Sequence, residues 1–536
     1  MTDNVRFALT GPDVAIIIGS LLLVVGVGLW AARRPERTAR GYFLASGRLP
    51  WWIIGSAFVS TSVSSEQIVG TVGAAYEYGM GIANWEWCSL PVYTLLMVFF
   101  VPVYLRNRVT TVSEFLLRRF GPVCADVYSW AMLVAYVFVF LVPVFYGGAT
   151  AISDLTRWPF HAVLCTMVVA VALYTVKGGL RSVMWTDALQ CLLLVGGGML
   201  LFFVALGRVD GGWDAMMRAA PDRFHLYCPA DHPKAPFPGL VTAMCGVILF
   251  YQAGNQVMIQ RVLGARSAWD GYMGIIFAGF INFLRPLVTC FLGLIVWHLI
   301  NVQRLAEPLE KQDYAFSFAL RTLAPAWGLR GMVLAGFLAA VMSTLSAVAN
   351  STATLFALDV YRKLINRGAD EAQTVRVGRV ASLAALATAA AVSPAVSRLG
   401  GIFTYFQTGV TYLATPFLSA LLLGILWKRA NYAGGIFAVI GGIMIQTIVA
   451  AAFPLAGLHL HWLYLAFFAQ VLTLAGAVIV SLATAPPPRA LWEPFQWSPS
   501  LLSLSSDGAR RPWYKRLMLW YAIYAAIWFS LYWRYW

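Results

Sequence analysis

Windows of about 20 mostly apolar residues, the length a helix needs to cross bilayer hydrocarbon, recur along the chain. Fourteen are present, at 12–31, 50–73, 80–105, 124–150, 158–176, 183–207, 240–263, 271–300, 331–361, 373–396, 402–427, 431–453, 459–484 and 514–533. Two of them are interrupted by polar residues. In the first, the eight residues Ser60 to Gln67 (STSVSSEQ) hold a single apolar side chain, Val63. An ionised Glu66 at the bilayer middle costs from about 2.5 kcal/mol upward, so it must face protein, water or a ligand. Serine and threonine hydroxyls take over backbone hydrogen bonds, which lets a helix break here and stay satisfied; a polar face packed on other helices is the alternative. The second interruption, ILFYQAGNQVMIQR at 248–261, sets Gln252, Asn255, Gln256 and Gln260 around Ala253-Gly254.

Each interrupted window opens a set of five, 50–207 and 240–427, and the two sets start on opposite sides of the membrane. This is the arrangement of two inverted repeats headed by broken helices, with a site at the midplane between them. The predicted organisation is an anchor helix and loop at 1–49, a first repeat at 50–207, a loop at 208–239, a second repeat at 240–427, two peripheral helices at 428–484, a linker at 485–511 and a last helix at 512–536. The stretch Gly331 to about Ile365 carries Gly336, Ala340, Ser343, Ala347, Asn350, Thr354 and Ala357 on one face. All are small or short and polar, which admits another backbone closely and, as packing alone, needs no function. At 35 residues this helix is roughly 52 Å long and is expected to project its Asp359 end into the cytoplasm.

Composition fits this picture. The 536 residues are 60% hydrophobic and 11% charged, with a mean hydropathy of +0.72. The class is all-α and polytopic, and no soluble class fits. A net charge of +15 raises nucleic acid as a partner, but the charge is sorted by segment: 25 Lys/Arg in loops on one side, 11 on the other, and Arg285 and Arg330 within spans. That is the positive-inside bias, which predicts a cell-membrane protein with both termini outside and the lipid bilayer as its partner. The Arg-rich stretch after the first span suits a retained anchor. Seven cysteines, six of them in or beside spans, imply no disulfide framework, and His225, Cys228 and His232 lack metal-site spacing.

Glu86, in the ANWEWCS segment at 83–89, is either an interfacial residue beside Trp85 and Trp87 or a solute ligand. Thr186 and Asp187, in YTVKGGLRSVMWTD at 174–187, read equally as a helix start or as part of a coupling element.

The segments FLASGRLPWWIIGSAFVSTSVSSEQIVG, ANWEW, YTVKGGLRSVMWTD, NQVMIQR and FLAAVMSTLSAVANSTATLFALDVY resemble the sodium/solute symporter family, and within it the sodium/glucose and sodium/galactose branch. The similarity runs from about residue 40 to 430. It implies the leucine-transporter fold, which agrees with the five-plus-five count, and a sodium ion between the first broken helix and the 331–365 helix. The matching positions are Ser60 and Val63 through carbonyls, Ala340 through its carbonyl, and Ser343 and Thr344 through hydroxyls. Such oxygens suit a hard cation. No carboxylate is among them, so the ion's charge is left for the membrane potential to act on. For solute, the resemblance implies Gln67, Glu66, Glu86, Ser89, Tyr251, Asn282 and Gln407, with Trp85, Tyr251 and Phe403 as gates and Asp187 in coupling. Amides, a carboxylate and aromatic faces are what a neutral polyhydroxylated ring requires. Departures are visible: Asn282 stands where sugar members carry Lys, Ile248 where they carry Asn, Ser62 for the usual Asn and Thr71 for an outer-lid Met.

The expectation is sodium-coupled symport of a small neutral sugar or polyol, with no enzymatic activity and no obligatory protein partner. A symporter for an amino acid, carboxylate or vitamin is the alternative. A site for an anion calls for a cation or an exposed helix N-terminus, whereas Glu86 opposes negative charge.

Overall fold

A computed structural model of the protein describes residues 9–33, 38–312, 314–325, 328–398, 402–506 and 512–536, without the side chains of 66, 396–398, 402–405, 407, 408 and 503–506. Helices are the regular secondary structure of its described residues. The sole strand-like pairing among them is an isolated bridge between Leu49 and Ala265. Among the described residues, ten helices are long and apolar enough to cross a membrane, or eleven if the bent pair Phe237–Met244 and Val247–Gly254 forms one span. Polar residues such as Asn255, Gln260 and Asn350 are buried, while Leu22, Met444 and Ile479 on peripheral helices are exposed. Apolar outside and polar inside is the build of a multi-pass membrane protein.

The first predicted interruption is a break. Helix Trp51–Thr61 ends, Ser62 to Ser64 leave the helical path, and Ser65–Tyr78 resumes behind Ser64 at φ −130°, ψ 177°. Local hydroxyls add bonds on both sides of the break: Ser62 donates to the Val59 carbonyl at 2.8 Å at the end of the first piece, and Thr71 to the Gln67 carbonyl at 2.5 Å within the second. The second interruption holds two departures from helix. Gly246 bends Phe237–Met244 against Val247–Gly254 by 45°. Asn255, extended at φ −90°, ψ 122°, then caps Gln256–Leu263 by accepting from the Val257 amide at 3.1 Å. Tyr136 donates to the same Asn255 oxygen at 2.7 Å, which fixes the break from a neighbouring helix.

Three expectations change. Phe160–Leu206 is followed as one 47-residue helical path whose interruption lies at Gly179, φ 56°, ψ −151°. Glycine is required there, because a Cβ would sit 2.4 Å from the Tyr42 carbonyl oxygen. Thr186 and Asp187 therefore lie inside a helix, fully buried, and do not start one. The Asp359 end of the small-residue helix, Leu329–Leu355 continuing as a wider turn through Ile365, does not project freely. Asp359 is buried and accepts from Thr111 at 3.3 Å, and Lys363 pairs with Asp126 at 2.5 Å.

The small-residue helix packs along Phe160–Leu206, and helix Ala268–Val288 along Trp51–Thr61. Gly336 allows the first approach, since its Cβ would meet the Leu193 carbonyl at 2.8 Å; Gly55 allows the second, 2.5 Å from the Gly274 carbonyl. These contacts hold the first break between the two helices that carry Ser343 and Arg285.

Candidate functional site

Breaking the first helix frees carbonyls, and the small-residue helix meets them with hydroxyls. Thr344 Oγ1 donates toward the carbonyls of Thr61 and Val63, each at 3.2 Å, and of Ala340 at 3.3 Å. Ser60 is buried one turn away, and its hydroxyl has no partner. Ser343, on the same turn as Thr344, donates to Asp187 Oδ1 at 2.7 Å, which leaves its lone pairs free for a cation. Of the five residues that the resemblance assigns to sodium, Val63, Ala340 and Thr344 are joined by these bonds, Ser343 precedes Thr344 on the same turn, and Ser60 precedes Thr61 in the chain; none of them is a carboxylate.

A carboxylate does stand directly behind them. Asp187 Oδ2 pairs with Arg261 Nη2 at 3.0 Å and lies 3.4 Å from Thr61 Oγ1, with both charged side chains wholly buried. Arg261 also reaches Thr61 Oγ1 at 2.5 Å, the Ala57 carbonyl at 3.3 Å and the Val257 carbonyl. One arginine at the end of the second broken helix therefore binds the last turn of the first half-helix. The signal for Arg261 in the sequence is its place in the motif NQVMIQR, just after the interruption at Ala253-Gly254.

On the other side of the break lies a cavity of about 190 Å³. Ser62, Ser64, Gln67 and Thr71 form one wall, Ile248, Tyr251 and Gln252 from the second broken helix another, and Trp85, Phe406 and Trp462 supply aromatic faces. Trp85 and Trp462 stack at 6.0 Å between centroids. Of the predicted solute residues, Gln67 and Tyr251 line this cavity, as does the predicted gate Trp85, whereas Glu86, Ser89 and Asn282 are not on its wall. The predicted Glu66, Phe403 and Gln407 fall outside the described side chains.

Glu86 and Asn282 connect to the cavity through a residue that the sequence pattern left without a role. Arg285 lines the wall, donates to the Asn282 oxygen at 3.1 Å and reaches Ser62 Oγ at 3.4 Å. With the Gln67 amide oriented to satisfy both ends, its oxygen accepts from Arg285 Nη2 at 2.7 Å and its nitrogen donates to the Ser62 carbonyl. Glu86 is buried, accepts from Thr289 at 2.9 Å and stands 3.6 Å from Arg285. An arginine inside an apolar span was the signal in the sequence. Ser89, by contrast, is 2.8 Å from the hydroxyl of Tyr524 on the last helix, Leu517–Tyr535.

Two broken helices flanking a cavity lined by aromatic and apolar side chains with a few polar groups, inside a helical membrane body, are the build of a secondary transporter. The sodium:solute symporter family model matches residues 42–442, and the chain belongs to that family. It is 29% identical to the sodium/glucose cotransporter of Vibrio parahaemolyticus over 82% of this chain and 85% of that protein. It is 30% identical to sodium/glucose cotransporter 1 of Oryctolagus cuniculus over 91% and 81% of the two chains. Its similarity to sodium/myo-inositol cotransporter 2 of the same animal is 29% identity, covering 90% and 78%. Among solved structures, the substrate-bound outward-open state of a Na+-coupled sialic acid symporter shares the fold, with a TM-score of 0.81 at 20% identity, covering 89% of this chain and 98% of that one. The chain is a transporter rather than an enzyme, and its family carries sodium and a solute together.

Proposed function

We infer that the chain imports a small polyhydroxylated solute, of the sugar or polyol class, together with sodium by alternating access across the cell membrane. The observation that carries this reading is the meeting of Thr344 with the Thr61, Val63 and Ala340 carbonyls at a helix break that also walls the cavity. Sodium held by Ser60, Val63, Ala340, Ser343 and Thr344 ties the break to the small-residue helix, and so sets the wall at Ser62, Ser64 and Gln67. Gln67 and Tyr251 face the solute, with Trp85 and Phe403 as its lids. The sugar and inositol cotransporters among the relatives support the substrate class. Fourteen spans with five-plus-five repeats and both termini outside is the arrangement we favour. It follows if Gly179 divides Phe160–Leu206 into two spans, the pieces of each broken helix are joined into one span, and Leu517–Tyr535 is counted as a span. The domain limits predicted from sequence go with it.

The energetics suffice. One sodium ion moving through about 100 mV releases roughly 2.3 kcal/mol, and a tenfold sodium gradient adds about 1.4 kcal/mol. At one-to-one coupling this sustains roughly a 500-fold solute gradient. In proteoliposomes, uptake of at least one sugar or polyol derivative is expected to rise when sodium replaces choline outside. Indifference of every such solute to sodium ends the reading.

A further inference from the structure

Trp462 lines the cavity beside Trp85, yet it belongs to neither broken helix. It is the first residue of helix Trp462–Ala483, in the stretch that the sequence assigns to two peripheral helices outside both repeats. The two indoles lie 5° from parallel with their centroids 6.0 Å apart, within the range of a stacked pair. Neither ring is fully buried.

The helix behind Trp462 is firmly attached. Leu463 and Gln470 are seven positions apart and so share one face, and both meet the first piece of the second broken helix, Phe237–Met244. A Cβ on Gly239 would stand 3.4 Å from Leu463 Cβ, so the two backbones approach closely there. Gln470, 7% exposed, donates from Nε2 to the Cys245 carbonyl at 3.2 Å. Cys245 caps the end of that piece, where the last carbonyls of a helix lack intrahelical donors. Gly246 leaves room for the amide, since a Cβ there would meet Gln470 Oε1 at 2.7 Å. Just past this bend, Val247, Ile248 and Tyr251 line the cavity. Tyr464 donates to the Ala230 carbonyl at 2.9 Å, which ties the start of the helix to the 208–239 loop. One helix therefore grips the bend that sets a cavity wall and carries an indole on that cavity. Packing alone accounts for Leu463 and Gln470 but leaves the ring of Trp462 on the wall unexplained.

We propose that Trp462 is a solute-facing lid residue: with Trp85 it covers one end of the cavity, and Gln470 positions it by fixing Trp462–Ala483 to the bend at Gly246. An indole face is the apolar platform that a sugar or polyol ring takes, and the contact with Trp85 holds the two rings together over it. The lid rests on the reading of this cavity as the solute site of a sodium symporter, and the test separates the two.

In the full chain, Ile248→Cys sets a thiol on the cavity wall, and its reaction with a bulky charged thiol reagent is followed at that position by mass spectrometry. Adding Trp462→Ala is expected to speed the labelling several-fold, and Gln470→Leu to do so by a smaller factor. Trp462→Phe, which keeps an aromatic face, should stay within about twofold of the starting rate. A rate unaltered by Trp462→Ala overturns the lid, whatever the solute. Proteoliposomes are then offered labelled glucose or myo-inositol, with sodium or choline outside. For a probe taken up with sodium, Trp462→Ala should raise KM roughly threefold to tenfold and leave the sodium concentration for half-maximal uptake unchanged. A lower maximal rate with KM unaltered makes Trp462 a structural residue and refutes the assignment. If the unmodified chain shows no sodium stimulation with either probe, the sugar-symport reading fails for these solutes, and the labelling rates alone uphold or overturn the lid.

Discussion

Asp187 with Arg261, and Glu86 with Arg285, stand on two sides of the same helix break, and both pairs set a buried carboxylate beside a buried guanidinium. Asp187 and Arg261 meet at 3.0 Å, and the carboxylate is completed by Ser343 at 2.7 Å. Glu86 and Arg285 are 3.6 Å apart, with Glu86 Oε2 and Arg285 Nε left without partners. The first pair stands behind the oxygen cluster; the second reaches the cavity wall through Arg285. The difference teaches that burial of an ion pair does not define its role. A pair with every bond made fixes backbone, since nothing is gained by moving it; a pair with bonds unmade is poised to exchange partners.

Cutting the closed pair should have the largest effect. Asp187→Asn leaves Arg261 buried and uncompensated, which costs about 3–5 kcal/mol for a pair of this burial. A large loss of thermal stability in detergent is expected, partly restored in Asp187→Asn/Arg261→Gln. A stable single variant that lacks only sodium dependence makes Asp187 a coupling residue and not a brace. Next in size is Thr344→Ala, which removes the hydroxyl facing three carbonyls. Loss of one such oxygen contact, about 1.5 kcal/mol, corresponds to roughly a tenfold rise in the sodium concentration for half-maximal uptake. An unchanged sodium curve removes Thr344 from the ion's neighbours.

The two sides were not equally legible in the sequence. The breaks and the small-residue face could be read because polar side chains are costly inside an apolar span unless they meet one another, water or a ligand. The family resemblance then placed Ser343 and Thr344 beside them. The closed pair was not legible, because Asp187 and Arg261 are 74 positions apart and no spacing rule joins them. Asp187 also sits two residues after a tryptophan and beside Thr186, a local pattern that imitates a helix start. Arg285 was visible as a charge in a span, but sequence alone does not say whether such a side chain turns to lipid interface, to a partner or to a cavity. Glu86 was therefore weighed as the field of the site, when the wall itself carries the cation. The last helix was legible only as an aromatic-rich span; its contacts with the 84–95 segment join residues more than 400 positions apart.

Glu86→Gln tests the open pair with a smaller expected effect. Glu86→Gln keeps the bond from Thr289 and removes only a charge held 3.6 Å from Arg285, so a loss of thermal stability smaller than that of Asp187→Asn is expected. The Kd for the transported sugar or polyol, measured by calorimetry in sodium, should be unchanged, because Glu86 is off the cavity wall. If Glu86 instead takes a solute hydroxyl, as the resemblance implies, the Kd rises.

The smallest effect concerns where the cavity side ends. The resemblance assigns Ser89 to the solute, yet its hydroxyl lies 2.8 Å from Tyr524 and off the cavity wall. The surrounding contacts belong to a brace: Tyr521 meets Thr94 at 2.7 Å, Trp528 donates to the Trp87 carbonyl at 2.6 Å, and Tyr532 donates to Asn84 at 2.7 Å. A helix so attached loses little from one bond, so Ser89→Ala should lower stability by about 1 kcal/mol and leave solute Kd unchanged. Tyr524→Phe should match it, and the double variant should be no worse than either alone, because all three remove the same bond. A weakened Kd in Ser89→Ala, with Tyr524→Phe silent, returns Ser89 to the solute and moves the boundary of the pocket outward to the last helix.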